Sequence, residues 1–336
     1  MKGMYAGCFL LSASGAFSMN NSKQVAEETD YVKVHVREVS KRNLYSEVGY
    51  RNKICIFGSE GDRVPGFSWM QSLPSDLTDL KFEGLFVDGT GFSRFSNKLS
   101  NVKKLSFYKT KFFHNCLRDD FLQNILKGRH LLTVSFRECG IESIEGVGMR
   151  GSAVETVTLS NNNIQVLNDG FLYWKTVERL DLSHNQLVFL PQKPDMRDET
   201  VYTIYSSLKE LNLSHNNLLG LPARKMLNLE KLDVSYNQLD AWPEEASTNQ
   251  IYSEYASRVG ICGGCLRELT MTKQLYPKLK ELNIYRSGLK SLPEDLWGLD
   301  SLEKVTFEKD LYKKDKLPKH IIIKDSDSKV TIKLTK

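Results

Sequence analysis

One short pattern recurs between Val154 and Pro293, and it constrains the fold more than any other feature of the chain. Each copy opens on an apolar residue, alternates apolar and polar residues, and then carries a polar triplet. Copies begin 21 to 23 residues apart where nothing is inserted, as at Leu131, Val154 and Val177. A unit this short cannot cover its own apolar side, so consecutive units must stack and share one core. The clearest copies read VETVTLSNNNIQVL, VERLDLSHNQLVFLP, LKELNLSHNNLLGLP, LEKLDVSYNQLDAWP and LKELNIYRSGLKSLP.

The common pattern, L-x-x-L-x-L-x-x-N-x-L, resembles the repeat of the leucine-rich repeat family. Weaker copies extend it to about three quarters of the chain, beginning at Leu77, Val102, Leu131 and Leu302. The resemblance implies an α/β fold, a leucine-rich repeat solenoid shaped as a right-handed curved horseshoe. Parallel β-strands then line its concave face, and short helices or irregular segments form its convex face. One elongated domain can reach 336 residues in this way without a wider core.

The alternation within one copy predicts a short strand followed by a turn. In VERLDLSHNQL, Leu180 and Leu182 alternate with Asp181, so the leucines point inward and the aspartate points outward. An asparagine follows where the chain leaves the strand, and a buried turn there needs side-chain partners for its backbone groups. We therefore expect a structural asparagine ladder formed by Asn162, Asn185, Asn216 and Asn237.

The outward positions of the predicted strands are polar and favour recognition of a protein or peptide partner. Rigid parallel strands that display polar groups and a few aromatic or arginine side chains suit such a surface. His184 and His215 also have the residue type of a general base, but they hold one repeated position, which favours a face-lining role. The candidate partner-binding residues on this face are Asp181, His184, His215, Asp233, Tyr236, Tyr285 and Arg286.

Two insertions break the period, at residues 192–207 and 244–278. Insertions in a solenoid often gather on one face and add to a binding surface. Tyrosine suits contacts that are partly apolar and partly wet. The alternative is that TVYTIY and IYSEYASRV are amphipathic segments that pack back onto the solenoid. The candidate partner-binding residues of the insertions are Tyr202, Tyr205, Tyr252 and Tyr255.

The remaining segments are interpreted as a targeting peptide and two caps. Lys2 precedes an apolar run, and Ala16-Phe17-Ser18 offers a cleavage site, so we expect a signal peptide cleaved after Ser18. The alternative is that this segment forms a strand or a short helix of the cap. The predicted organisation is residues 1–18 signal peptide, 19–76 N-terminal cap, 77–312 repeats and 313–336 C-terminal β-hairpin cap.

Five cysteines follow the predicted signal peptide. Cys139 takes the asparagine position of its repeat, where the family resemblance implies a buried structural thiol. The other four, Cys55, Cys116, Cys262 and Cys265, allow two disulfides, or one disulfide and two free thiols. The CGGC spacing of Cys262 and Cys265 is also that of redox dithiols and of half a zinc site. It lies inside an insertion and lacks a second pair, which favours a structural disulfide or inert loop thiols.

Charge gives little information about partners. The formal net charge is +5, and 26% of the residues are charged. A lysine cluster in VKKLSFYKTKF is a candidate for weak binding of an anionic polymer, although a solvated face explains it as well. No nucleic-acid partner is expected. The lysines of this cluster are Lys103, Lys104, Lys109 and Lys111.

Catalytic signatures are missing from the sequence. It has no G-x-S-x-G, H-E-x-x-H, P-loop or kinase motif, and we expect no cofactor and no metal. After the predicted signal peptide, no stretch approaches the roughly 18 apolar residues that cross a bilayer. The sequence therefore predicts a secreted, non-enzymatic binding module. The alternatives are an intracellular scaffold resembling the repeat proteins that regulate a phosphatase or GTPase, with a cytoplasmic location, and a C-x-x-C redox protein.

Overall fold

A computed structural model describes most of the repeat region and both of its flanks. The predicted signal peptide lies outside the described residues, as do residues 192–202 and 240–270, which hold most of both insertions. The described residues are 31–39, 52–64, 66–87, 99–112, 116–117, 130–144, 152–191, 203–222, 225–239, 271–293, 295–311, 321–325 and 328–334.

Seventeen strands lie in the described part of the chain, and most belong to one sheet. Their bounds are β1 Val32–His35, β2 Lys53–Arg63, β3 Asp79–Val87, β4 Lys104–Tyr108, β5 Lys111–Phe112, β6 Cys116–Leu117, β7 Thr133–Arg137, β8 Ser143–Ile144, β9 Thr156–Thr158, β10 Val166–Leu167, β11 Arg179–Asp181, β12 Glu210–Asn212, β13 Lys231–Asp233, β14 Glu281–Asn283, β15 Lys304–Glu308, β16 Ile321–Asp325 and β17 Lys329–Leu334.

The large sheet has 14 strands among the described residues, in the order β1-β2-β3-β4-β7-β9-β11-β12-β13-β14-β15-β17-β16, with β5 beside β3. It is parallel from β1 to β15. Equivalent residues of consecutive repeats face each other, as Leu180 does with Val157 and Leu211. All three are buried, because the strand period points them inward. The predicted leucine-rich repeat solenoid is thus confirmed as a stack of parallel strands.

The opposite side of the solenoid is built from short pieces. A three-stranded parallel sheet, β10-β8-β6, lies there with several single turns of helix. Asn168 caps one of these turns by accepting a hydrogen bond from the backbone of Gly170 at 3.0 Å. The helical turns are 3₁₀ helices at Phe67–Ser72, Asp169–Tyr173, Leu296–Gly298 and Lys309–Leu311, and one α-helical turn, α1, at Ile204–Ser207.

Both flanks continue the sheet in different ways. Strands β1 and β2 are parallel to β3, so the parallel sheet extends into the segment predicted as an N-terminal cap. The core beside them is aromatic, with Phe107 stacked between Phe82 and Phe136 at ring distances of 5.1 and 5.0 Å. At the other end β16 and β17 form an antiparallel hairpin, in the segment for which the sequence predicts one, and β17 covers the edge of β15.

A ladder of buried side chains holds the turn that follows each strand. Asn216 donates to the carbonyl oxygens of Leu213 (3.0 Å), Ser214 (3.3 Å) and, one repeat earlier, Leu182 (3.0 Å). Its Oδ1 accepts from the backbone nitrogen of Leu187 at 3.0 Å. The other predicted members make equivalent bonds, namely Asn162, Asn185 and Asn237.

The ladder changes chemistry toward both ends. Cys139 donates its thiol to the carbonyls of Arg137 and Phe107, and Thr110 makes the same two kinds of bond one repeat earlier. At the opposite end Ser287 occupies the position. Its backbone carbonyl, rather than its side chain, accepts from Leu239 at 2.7 Å. The Ser287 hydroxyl is buried and has no hydrogen-bond partner among the described residues.

The residue before each ladder position has a left-handed backbone. Its N–H bonds to the next repeat, as from His184 to Ser214 and from His215 to Ser235, both at 2.9 Å. The chain must then bend sharply for the asparagine to reach back, and φ becomes positive. Non-glycine residues rarely adopt this conformation, which costs about 1–2 kcal/mol each. The seven members of this left-handed column, with φ between 50 and 57°, are Lys109, Glu138, Asn161, His184, His215, Tyr236 and Arg286.

Removing one ladder asparagine should destabilise the solenoid strongly. Asn216→Ala strips the Leu187 N–H and several buried carbonyls of their partner, so we expect the free energy of unfolding to fall by about 2–4 kcal/mol. Urea denaturation measures this change. Ser287→Ala is the matched control at the equivalent position, and it should be neutral or slightly stabilising because that hydroxyl makes no bond within the described structure. Equal losses from both changes would contradict the role given to the ladder.

Candidate functional site

Three columns of side chains project from the strand face of the repeats. The first, the charged column, alternates in sign across neighbouring strands. Glu210 lies between Arg179 (3.7 Å) and Lys231 (4.0 Å), and Glu281 lies between Lys231 (3.7 Å) and Lys304 (3.2 Å). Each pair is part-exposed and individually weak. The column is nevertheless balanced, because every one of these charges has a neighbour of opposite sign.

The second column, the Asp/Asn column, comprises Asp181, Asn212, Asp233 and Asn283. Most of its side chains form hydrogen bonds within the repeats. Asp181 Oδ1 accepts from the backbone nitrogen and hydroxyl of Ser183 at 3.0 and 2.6 Å. Asn212 and Asp233 bind the serine two residues onward in the same way. Asp233 Oδ2 also accepts from Asn283 at 2.9 Å. The predicted binding residues Asp181 and Asp233 therefore each commit one oxygen to the strand end.

The third column contains the stack, which we define as His184, His215, Tyr236 and Arg286 of the left-handed column. The His184 and His215 rings are 4.0 Å apart and nearly parallel, at 12°. His215 and Tyr236 have the same separation and angle. The Arg286 guanidinium then lies over the Tyr236 ring, 5.6 Å from its centroid. Adjacent strands are about 4.8 Å apart, so equal backbone conformations bring these side chains into stacking range.

The polar edges of the stack have no partners in the described structure. Within those residues, no hydrogen bond reaches the ring nitrogens of His184 and His215, the hydroxyl of Tyr236 or the guanidinium of Arg286. His184, Tyr236 and Arg286 are exposed, and His215 is half-buried. The faces of the rings contact each other, whereas their edges are directed to solvent. This unpaired row distinguishes the stack from the two other columns.

The Tyr285 ring packs against the Tyr236 ring of the stack. It is 7% exposed, and its ring meets Tyr236 edge-on at 5.6 Å. Arg286 and Lys329 both lie over the Tyr285 ring, at 5.5 and 5.4 Å, and its hydroxyl pairs with Ser328 Oγ at 2.8 Å. These contacts give Tyr285 a packing role, and its predicted contact with a partner stays a prediction. Its ring is covered because the C-terminal hairpin packs against it.

Burial sets the protonation of the two stacked histidines. Loss of solvent lowers the pKa of His184 and of His215 below the ordinary histidine value. Repulsion from His184 lowers the pKa of His215 further, whereas Asp181 and Asp233 oppose these effects. Neither imidazole is hydrogen-bonded to an aspartate in the described residues, so the stack does not form a histidine–carboxylate dyad. Neutral rings also stack without charge repulsion.

The family assignment rests on the repeat geometry together with a sequence match. The family model described as Leucine Rich Repeat matches residues 207–224, which include β12 and the ladder residue Asn216. This is a leucine-rich repeat protein. Proteins with this fold are typically non-enzymatic binding modules. A sequence comparison with curated proteins gives no match.

Solved structures similar to this leucine-rich repeat protein are distant in sequence. The TLR13–ssRNA13 complex is 19% identical, with a TM-score of 0.41, over 76% of this chain and 43% of that chain. A leucine-rich repeat protein of Leptospira interrogans is 16% identical, with a TM-score of 0.38, over 76% and 71%. The leucine-rich repeat domain of the type III effector XopL is 13% identical, with a TM-score of 0.40, over 87% and 76%. The chain thus spans less than half of the TLR13 chain.

Of the predicted insertion residues, Tyr205 is described and is buried. It is 1% exposed, packs edge-on against Phe171 and donates its hydroxyl to the Pro191 carbonyl at 2.7 Å. The prediction that it contacts a partner is wrong, and the packing alternative holds for this residue. The other three tyrosines lie outside the described residues, namely Tyr202, Tyr252 and Tyr255.

The described cysteines are buried thiols. Burial raises the pKa of Cys139 and of Cys55 to about 12, with Glu83 adding to the effect at Cys55. Both are free, so the alternative with two disulfides, which requires Cys55, does not hold. Cys262 and Cys265 lie outside the described residues, and the side chain of Cys116 does too.

Other candidate chemistry is distributed rather than clustered. Lys104 starts β4 in line with the charged column, whereas Lys109 belongs to the left-handed column and lies 3.7 Å from Glu138. Lys103 precedes β4 and Lys111 begins β5, so the predicted cluster spans several positions of one repeat. In the described ranges no three metal-ligating side chains converge on a site for an ion. No helix there has the length and apolar character needed to cross a membrane.

One feature of the site, the charged column, was missed from sequence. A concave groove of about 590 Å³ runs along the strand face from Thr156 to Lys329 and Thr331. The charged column forms much of its floor. Alternating signs at the residue before the central leucine of each copy, from Arg179 to Lys304, are the signal that could have revealed this column.

The lowered pKa values predict loss of stability in mild acid. Unfolded histidine titrates near pH 6.5, and the folded values lie below this, so the unfolded chain binds more protons as the pH falls through that range. Stability is therefore lost as the pH falls from 7.5 to 5.5. His184→Gln with His215→Gln should lose less over this interval, as measured by urea denaturation at both pH values. An equal loss in variant and wild type would contradict the assignment.

Proposed function

We propose that this leucine-rich repeat protein is a non-enzymatic module that recognises a protein or peptide partner through the stack and the groove beside it. The observation that carries the proposal is the row of unpaired edges on His184, His215, Tyr236 and Arg286. The stack is exposed, preorganised by its own contacts, and kept at backbone positions where each residue costs conformational energy.

The residue types of the stack fit a protein partner. Tyrosine and arginine contribute much of the binding energy at protein interfaces, because they combine a large contact area with directed hydrogen bonds. Rigid neighbours reduce the entropy lost on binding. Stacking of nucleic-acid bases is disfavoured, because bases bind to exposed ring faces, and the faces of His215 and Tyr236 contact other members of the stack.

The groove gives the partner an elongated track. Its floor crosses the strands from β9 to β17, so an extended segment lying along it would pass successive repeats. The charged column there is already balanced, and it would contribute to orientation and specificity more than to affinity. Tyr202, Tyr252 and Tyr255 are proposed to add contacts from the two insertions, since tyrosine suits partly wet surfaces.

Truncation of the stack should abolish partner recovery. His215→Ala, Tyr236→Ala and Arg286→Ala together remove three of the four side chains. In a quantitative pull-down from an extract of the source cells or of their surroundings, we expect specific partners to fall at least about tenfold.

A matched control uses three exposed residues of the same repeats that lie outside the stack. Gln186→Ala, Asn217→Ala and Gln238→Ala leave the backbone hydrogen bonds of these positions intact and should preserve recovery. Thermal denaturation of both triple variants excludes unfolding as the cause. Equal recovery by the wild-type protein and the stack variant would argue against the proposed site.

Export is proposed as the cellular setting. The support is the sequence of residues 1–18, with Lys2, an apolar run and a small-residue cleavage site. In an intracellular scaffold this segment would be retained and the cysteines would remain reduced.

Mass spectrometry of the native protein tests the setting directly. Export predicts Met19 as the first residue, with Cys55 and Cys139 still recovered as thiols because both are buried and free. Oxidation is then expected among Cys116, Cys262 and Cys265. An intact Met1 with every cysteine reduced would instead support the intracellular alternative.

A further inference from the structure

Arg286 ends the stack in a corner made by two tyrosines. Its guanidinium lies 5.6 Å from the Tyr236 centroid and 5.5 Å from the Tyr285 centroid, and the two rings are inclined at 82°. A guanidinium interacts favourably with aromatic faces and is more weakly hydrated than an ammonium group. The corner therefore holds the cation in place while Arg286 itself remains exposed.

Arg286 differs from the other cations of the strand face in having no counter-charge. In the part of the chain that the structure describes, no carboxylate lies within ion-pair distance of it. Arg179, Lys231 and Lys304 each have a glutamate at 4.0 Å or less. Lys329, whose Nζ is 5.4 Å from the Tyr285 centroid, adds a second positive charge at the same ring.

The geometry of the corner selects among anions. The two tyrosine rings lie 5.6 and 5.5 Å from the guanidinium carbon, and within the described residues no hydrogen bond uses the guanidinium N–H groups, so these donors are available to a ligand. Those donors form a planar fork that matches both oxygens of a carboxylate. Charge along the groove also has a direction, because Lys329 lies at its hairpin end and Asp181 lies toward its other end, whereas Lys304 is already paired with Glu281 at 3.2 Å. An acidic group would be favoured at the Lys329 end and repelled nearer Asp181.

We propose that Arg286, with Lys329 beside it, binds the carboxylate of an aspartate or glutamate side chain on the partner protein. This inference rests on the proposed function and specifies the chemistry of one contact within it. The partner segment lies in the groove with its acidic residue at the C-terminal hairpin. Arg286 is then the residue that determines specificity, and Tyr236 and Tyr285 position it.

Selection of displayed peptides tests the preference without a known partner. A random peptide library is selected on the full chain, on Arg286→Glu and on the control Lys278→Glu, which makes the same charge change at an exposed residue directly before the same repeat. Peptides selected by the wild-type protein and by the control should share an aspartate or glutamate at one position. Peptides selected by Arg286→Glu should carry lysine or arginine there.

A double-mutant cycle then tests direct contact. Arg286→Gln should weaken binding of a selected peptide by about 10-fold to 100-fold, and so should replacing its acidic residue by the amide. The two changes together should weaken it little more than either alone, whereas Lys278→Gln has no effect. Fluorescence anisotropy measures the affinities, and peptides with an amidated C-terminus should bind equally well.

Different failures have different meanings. Peptides that require His215 and Tyr236 but show no acidic position, or additive effects in the cycle, would overturn the Arg286 inference and leave the proposed function standing. Loss of binding on C-terminal amidation, or full competition by inorganic phosphate, would also overturn it. Peptides that bind the His215→Ala, Tyr236→Ala variant as well as the wild-type protein would overturn the proposed function itself.

Discussion

The asparagine ladder is the interaction on which the rest of the structure depends. Each repeat must turn away from its strand inside the protein, where unpaired backbone groups cost about 1–3 kcal/mol each. Asn216 satisfies carbonyls of its own repeat and of the preceding one, and it accepts from the backbone of Leu187. One side chain thus closes the turn and joins two repeats. The leucine core can stack because the turns beside it are satisfied.

The same ladder generates the candidate site. The residue before each ladder position adopts positive φ at seven described positions, four of which precede an asparagine. Equal backbone conformations at equal register point their side chains the same way, one strand spacing apart. His184, His215 and Tyr236 therefore stack because of the turn geometry, whatever their own chemistry. Side-chain identity in this column is not dictated by the fold, which leaves it available for function.

Sequence reasoning succeeded where the repeat itself carried the information. The strand positions, the inward leucines and the ladder role of Asn216 all follow from period and burial. It did not decide which tyrosines are buried and which are exposed. Tyr205 resembles a surface residue, but its hydroxyl finds the Pro191 carbonyl, and Tyr285 is covered by a hairpin distant in sequence. The repeat period of the sequence predicts which residues share a column. The backbone φ angle and packing against distant segments decide which of these side chains remain without a hydrogen-bond partner.

The copy from Leu279 to Pro293 departs from the repeat pattern at three consecutive residues, Tyr285, Arg286 and Ser287. The Ser287 hydroxyl makes no hydrogen bond in the described structure, and its backbone carbonyl takes over the acceptor role toward Leu239. In earlier copies a serine at the position of Tyr285 donates its hydroxyl to the Asp/Asn column. Tyr285 replaces that serine, and its ring reaches the hairpin and Ser328. Arg286 then lies over the rings of both Tyr236 and Tyr285. A single altered copy thereby converts a neutral, repetitive column into a defined cationic end.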